Sequence, residues 1–274
     1  MAQLPARRIA VIGSGTMGRS IASGMVRAGV VAPTHLTVCD STPTVAGTLA
    51  SDIGATVATD NVSACISADV ILLCVKPRDV GELLTQLAAR DAFRHHPLLI
   101  SIAAGVGVAT IEQLTGGTVP VVRAMPNTPC LIGEGMTVVT GGTLATATHH
   151  DVAQQIFSTL GRCLVLDERH FDAVTAVSAS GPAFLYVILE ALADGGVRCG
   201  LPRHVATELA AQMTLGAAAM VLTTGRHPAA LKDDVTTPGG CTIAGLLTLE
   251  DGRVRSVLAR AIEATAQRAS ELGR

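Results

Sequence analysis

Along its first two thirds the chain repeats one rhythm: a short apolar run, a break marked by glycine or proline, then a longer stretch with helical spacing. The runs at 8–12, 35–39, 55–57, 70–75, 98–102, 119–122, 136–140 and 163–166 predict strands. Several are apolar without alternation, as expected for strands covered on both faces of a parallel sheet. Between them, 17–28, 80–89 and 151–160 predict helices. Such alternation predicts a doubly wound, mostly parallel α/β domain over 1–166. From 167 onward the strand signals stop, and 183–193, 203–223, 229–235 and 253–272 predict an all-α domain over 167–274. The stretch 206–222 is rich in Ala, Met and Gly almost all round, so a helix there must be covered on most sides. A small helical domain has too little surface to cover it, so either the first domain covers it or, the favoured reading, it packs against a second copy of the chain.

Composition narrows the function. Of 274 residues, 49% are hydrophobic and 15% charged, and the formal net charge of −2 leaves no basic footprint for nucleic acid or a membrane surface. With 2% aromatics and no Trp, there are no stacking platforms for bases. The cysteines at 39, 65, 74, 130, 163, 199 and 241 are odd in number and show no CxxC pair, so neither a zinc site nor a disulfide framework is suggested. A reducing compartment is the simpler setting. The paired histidines at 95–96 and 149–150 fit solvated loops, and no metal motif includes them. Arg7 and Arg8 precede an apolar run that breaks at Gly13, too short for a signal-peptide core. The apolar stretches 174–192 and 205–222 contain Glu190 and Glu208 and small-residue breaks, so neither is assigned as a membrane span. A soluble, cytoplasmic protein is expected.

Gly13-Ser14-Gly15-Thr16-Met17-Gly18 follows a predicted strand and opens a predicted helix. In this context GxGxxG is a dinucleotide-binding turn: the first glycine makes the bend, the second admits a pyrophosphate, and the third lets helix and strand pack closely. The anion then sits on a helix N-terminus. Asp40 lies where an acidic residue would hydrogen-bond a ribose 2′-hydroxyl, which favours NADH over NADPH. It equally suits a turn residue in Asp40-Ser41-Thr42-Pro43, and Ser41 and Thr42 are able to donate to a phosphate. NADPH or NADH thus remains open. Lys76, in Cys74-Val75-Lys76-Pro77, closes a buried strand on the edge where α/β sheets bind ligands, although a lysine there is also an ordinary strand exit.

Three further segments stand beside strongly patterned elements: Arg123-Ala124-Met125-Pro126-Asn127-Thr128-Pro129, Val177-Ser178-Ala179-Ser180-Gly181-Pro182-Ala183-Phe184 and Val235-Thr236-Thr237-Pro238-Gly239-Gly240-Cys241-Thr242. The last two run into helices, and hydroxyl-bearing turns at helix starts either cap the helix or bind an anion. In this order and spacing, GSGTMG, CVKP, SIAAGV (101–106), RAMPNTP, VSASGPAF and VTTPGGCTIAGL resemble the pyrroline-5-carboxylate reductase family over nearly the whole chain.

The resemblance implies a Rossmann domain followed by a helical dimerisation domain, a homodimer that assembles further, and reduction of 1-pyrroline-5-carboxylate to proline with NADPH or NADH. Position by position, Gly13, Gly15, Thr16, Met17 and Gly18 resemble the pyrophosphate turn, and Asp40, Ser41 and Thr42 the adenosine-ribose contacts. Asn61 resembles the adenine side, Val75, Lys76 and Pro77 the nicotinamide half, and Ala104 and Asn127 further cofactor-side positions. Ser180, Thr237, Gly239, Gly240, Cys241 and Thr242 resemble the loop residues that hold carboxylate and ring nitrogen, and Glu168 a position near substrate. Ser180 and Thr242 are the expected catalytic pair, with the Gly239 and Gly240 amides on the carboxylate. Ala179, Phe184 and Cys241 depart from the usual glycine, tyrosine and threonine or alanine, and Asp40 from an NADPH-preferring pattern. The alternatives are another imine reductase, a β-hydroxyacid dehydrogenase and a non-catalytic dinucleotide sensor. A β-hydroxyacid dehydrogenase would carry a catalytic Lys on the first interdomain helix, and 183–193 has none. A non-catalytic dinucleotide sensor would need the glycine turn but not the three ordered loops.

Overall fold

The computed structural model describes residues 7–272. Eight strands, β1 (Ile9–Ile12), β2 (Leu36–Cys39), β3 (Thr56–Val57), β4 (Val70–Leu73), β5 (Leu98–Ser101), β6 (Val121–Met125), β7 (Gly135–Gly141) and β8 (Gly161–Val165), form one sheet in the order β3-β2-β1-β4-β5-β6-β7-β8. All pairs are parallel except β6–β7, where Arg123 faces Thr140. The β6–β7 connection, 126–134, is too short for a crossover, so the chain can only turn back antiparallel. Helices α1 (Thr16–Arg27), α2 (Pro43–Ile53), α3 (Asn61–Cys65), α4 (Pro77–Ala89), α5 (Val108–Leu114) and α6 (Ala147–Phe157) cover both faces.

The unbroken apolar runs are explained by two cores, one on each face. Ile9 and Val11 pack with Ile21, Met25 and Phe157 on one side. Ala10 and Ile12 pack with Leu84, Leu87 and Ile111 on the other. Because successive strand side chains point to opposite faces, a strand buried on both must be apolar at every position, and β1 and β4 are buried throughout. The strand order reverses between β1 and β4, which leaves a crevice at the strands' carboxyl ends.

Helices α2, α3 and α5 were not expected. The first starts with Pro43 at its first turn, so the Asp-Ser-Thr-Pro turn signal is also a helix start. Helix α3 is only a turn and a half, fixed by a capping box between Asp60 and Ser63. The strand expected at 119–122 instead lies at Val121–Met125, beyond Pro120, which has no N–H for a ladder.

No strand follows β8 among the described residues. The remainder is α7 (Phe171–Val174), a π-helical turn (Thr175–Ala179), α8 (Gly181–Arg198), α9 (Arg203–Thr224), α10 (Pro228–Asp234), α11 (Cys241–Asp251) and α12 (Val254–Leu272). Residues through Ala179, with those from Thr265, form one compact unit, and Ser180–Ala264 form another. Within the second, α8 and α9 make a tight hairpin: a Cβ on Gly196 would lie 3.1 Å from that of Ala206, and Arg203 pairs with Asp194. Only Ala206 and Ala210 of α9 are buried. Leu209, Met213 and Leu222 are 55%, 54% and 60% exposed, so the second unit does not by itself supply the cover this helix needs. By length and composition alone, Glu168–Arg198 and Arg203–Thr224, of mean hydropathy 1.5 and 1.4, are apolar enough to cross a membrane.

Candidate active site

The glycine turn is built so that only glycine serves at two positions. Gly13 has φ +97°, and a Cβ there would meet the Cys74 carbonyl at 2.7 Å. A Cβ on Gly18 would lie 1.9 Å from the Gly13 carbonyl oxygen, so the turn and the first helical turn touch backbone to backbone. Gly15 has nothing within 4 Å of its missing Cβ, leaving its backbone open on that side. It is also the N-cap of α1 and has no side chain to offer the first-turn amides. An open backbone over uncapped amides fits a pyrophosphate.

Asp40 braces this turn. Its carboxylate accepts hydrogen bonds from the Ser14 N–H at 2.7 Å and the Thr42 N–H at 2.9 Å, tying the end of β2 to the glycine turn. The turn-residue reading of Asp40 is therefore realised. Each carboxylate oxygen keeps a second lone pair able to accept from a ribose hydroxyl. A cleft of 540 Å³ gathers Gly13, Gly15, Asp40, Ser41, Asn61, Val75 and Lys76. A neighbouring cleft shares Asp40, Ser41 and Asn61 and adds Asp60 and Arg90.

The other positions assigned from sequence to the cofactor lie around this cleft rather than in its wall. Thr16 is the exposed first residue of α1, and Met17 packs partly into the core. Thr42 caps α2, and Pro77 is the first residue of α4. Ala104 is exposed in the turn after β5. Asn127 is committed structurally: its Nδ2 donates to the Ser178 carbonyl at 3.2 Å, and its Oδ1 accepts from the Met136 N–H at 2.9 Å.

Glu168 has a role in the same unit that its sequence position did not suggest. Its Oε1 accepts from the Val108 N–H at 2.8 Å, capping α5, and from Arg123 Nη1 at 2.9 Å. Arg123 is 7% exposed, and its guanidinium carbon lies 4.6 Å from the centre of the Phe171 ring. Sequence reasoning gave Arg123 no role. Its signal was a charged residue at the centre of an otherwise apolar strand, Val121–Met125.

In the second unit, Thr237, Gly239, Gly240, Cys241 and Thr242 form one turn into α11. Gly239 has φ +67°, and a Cβ on Gly240 would lie 2.4 Å from Thr237 Oγ1. The expectation that the Gly240 amide binds a carboxylate needs correction. That N–H donates to the Thr237 carbonyl at 3.1 Å, so the Gly239 amide and the first-turn amides of α11 are the better donors. Thr242 is exposed on that first turn. Ser180, half-buried, is the N-cap of α8, and its hydroxyl makes no capping bond.

Sheet, glycine turn and strand-end cleft define a dinucleotide-binding oxidoreductase. Residues 168–272 match the family model for pyrroline-5-carboxylate reductase dimerisation, and 8–105 that for NADP oxidoreductase, coenzyme F420-dependent. The chain is 41% identical to the pyrroline-5-carboxylate reductase of Glycine max, over 95% of this chain and 94% of that one. It is 39% identical to the enzyme of the same name from Corynebacterium melassecola, over 97% and 98%. A solved pyrroline-5-carboxylate reductase from Coxiella burnetii superposes with a TM-score of 0.93 at 31% identity, covering 98% and 99%. A Plasmodium falciparum pyrroline carboxylate reductase with NADP bound gives 0.87 at 28%, covering 100% of both chains. The chain belongs to the pyrroline-5-carboxylate reductase family. A 3-hydroxyisobutyrate dehydrogenase from Mycobacterium tuberculosis, at 17% identity and a TM-score of 0.53, shares the fold alone.

Proposed function

We propose that this chain reduces the C=N bond of 1-pyrroline-5-carboxylate to give proline, with NADPH or NADH as hydride source. The observation that carries the reading is the cleft itself: a glycine turn with no room for a Cβ at Gly13 or Gly18, open at Gly15, on the strand ends of a doubly wound sheet. When bound, the reduced nicotinamide supplies the hydride that adds to the imine carbon.

The chain's own residues do the rest. The α1 amides and Gly15 hold the pyrophosphate, while Val75 and Lys76 border the nicotinamide half. The Gly239 amide and the α11 first turn take the substrate carboxylate, where dipole and unpaired N–H groups favour an anion. The Thr242 hydroxyl hydrogen-bonds the ring nitrogen, and Ser180 supports it. A protonated imine is the better electrophile, so orientation and a proton from solvent account for the rate without a dedicated acid. Glu168 acts on substrate indirectly, through the β5–α5 turn that it caps.

The helical region carries a dimerisation domain, and the exposed apolar residues of α9 are its natural cover between copies. We place further assembly of dimers and a reducing, cytoplasmic setting in the same proposal; the seven free cysteines support the latter. Steady-state oxidation of NADPH and NADH with 1-pyrroline-5-carboxylate tests the reading. Rapid imine-dependent turnover is expected, and no turnover with either dinucleotide would overturn it in favour of a binding protein.

A further inference from the structure

The end of the cleft beside β2 is walled by fixed negative charge. Asp40 follows β2 directly, and two backbone N–H groups, of Ser14 at 2.7 Å and Thr42 at 2.9 Å, hold its carboxylate in place. Asp60 lines the same wall from the cap of α3. There the Ser63 N–H at 2.8 Å holds its carboxyl below the usual carboxylate range, with the Thr59 hydroxyl at 3.3 Å assisting. Both charges reach the Cys39 thiol, which burial first, then Asp60 and then Asp40 push upward.

Positive charge is sparse on this side. The sequence holds no Lys or Arg between Arg27 and Lys76, so neither the turn after β2 nor the α2–α3 segment brings a cation. Lys76 and Arg78, at the start of α4, line the glycine-turn cleft that Asp40 also borders, and neither lines the cleft shared by Asp40 and Asp60. Arg90, the C-cap of that helix, is the only cation among the residues lining the cleft that holds Asp40 and Asp60.

We infer that this chain selects a dinucleotide with a free 2′-hydroxyl, NADH over NADPH, and that Asp40 is the residue that selects. A ribose diol donates to a carboxylate with spare lone pairs, whereas a 2′-phosphate brings a second anion against it. A freely rotating carboxylate would swing away from a phosphate. This one is held by the turn that binds the pyrophosphate, so moving it disturbs that turn as well.

The inference rests on the proposed function only for the identity of the ligand in the cleft, so the test is direct binding rather than turnover. Isothermal titration calorimetry of the full chain with NADH and with NADPH is done at low salt and again at high salt. NADH binds at least about tenfold tighter at low salt, and the gap narrows as salt screens the carboxylates. Asp60→Asn, which keeps a competent helix cap, narrows the gap without loss of fold. Ser41→Arg raises NADPH affinity relative to NADH. Equal affinities, or tighter NADPH, in the unmodified chain overturn the inference. Failure of both dinucleotides to bind overturns it together with the cleft assignment. Tight NADH binding without imine reduction sinks the reductase reading and leaves the cofactor preference standing.

Discussion

The ion pair between Arg123 and Glu168 offers the sharpest test of how the first unit is held together. The Arg123 side chain is 8% exposed and that of Glu168 35%, with 2.9 Å between Nη1 and Oε1. Arg123→Met keeps the apolar stem and removes the guanidinium. The lost charged hydrogen bond is worth about 1.5–3 kcal/mol. The contact with Phe171 adds about 1 kcal/mol. Arg123 Nε is buried without a partner, so its removal returns about 1 kcal/mol. The expected loss is therefore about 1.5–3 kcal/mol, toward the lower end because water screens Glu168, whose side chain is 35% exposed. Glu168→Gln keeps an acceptor for the Val108 N–H but leaves a buried guanidinium without its counter-charge, for a loss of about 2 kcal/mol. If the two groups stabilise the fold through each other, the double variant loses less than the sum by about 1–2 kcal/mol. Urea midpoints at one fixed protein concentration measure this, since the stability of a dimer depends on concentration. Losses that add to within about 0.5 kcal/mol would refute the coupling, and with it the view that Glu168 works as a structural bridge.

Other outcomes follow from single contacts. Gly15→Ala, with open space at its Cβ, retains wild-type melting but weakens dinucleotide binding, whereas Gly18→Ala, 1.9 Å from the Gly13 carbonyl, loses both; equal behaviour of the two in melting and titration would contradict the geometry of the turn. Thr242→Ala, at an exposed position, leaves stability unchanged and lowers kcat/KM by about 10- to 100-fold, the worth of one hydroxyl hydrogen bond; an unchanged kcat/KM removes Thr242 from the site. Burial pushes the Cys65 thiol from 9.0 up to about 12, with smaller contributions from Cys39 and Asp60. The fold favours the neutral thiol, so this stabilisation is complete below pH 9 and is lost as pH rises toward 12. Melting temperature should fall across that window, less so in Cys65→Ala, and identical profiles for the two proteins would show that another group is responsible.

Period and punctuation in the sequence determined the sheet. Runs such as Val70–Leu73, apolar at every position, require cover on both faces, and only a sheet with helices on each side provides it. The glycine turn was equally legible, because a backbone that must bend tightly at Gly13 and touch a helix at Gly18 admits no other residue. The short helices were hidden. Five residues from Asn61 to Cys65 are too few to show a period, and their stability comes from Asp60 and Ser63 capping each other. Tertiary structure alone decided the partners of Asp40, Asn127, Arg123 and Glu168. Each has a side chain whose role depends on which backbone amide or charge lies within 3 Å, and those partners are brought in from distant strands and turns. Asp40 shows the division most clearly. Its place after a strand could be read from spacing, but the orientation of its carboxylate was set by the Ser14 amide, 26 residues away along the chain.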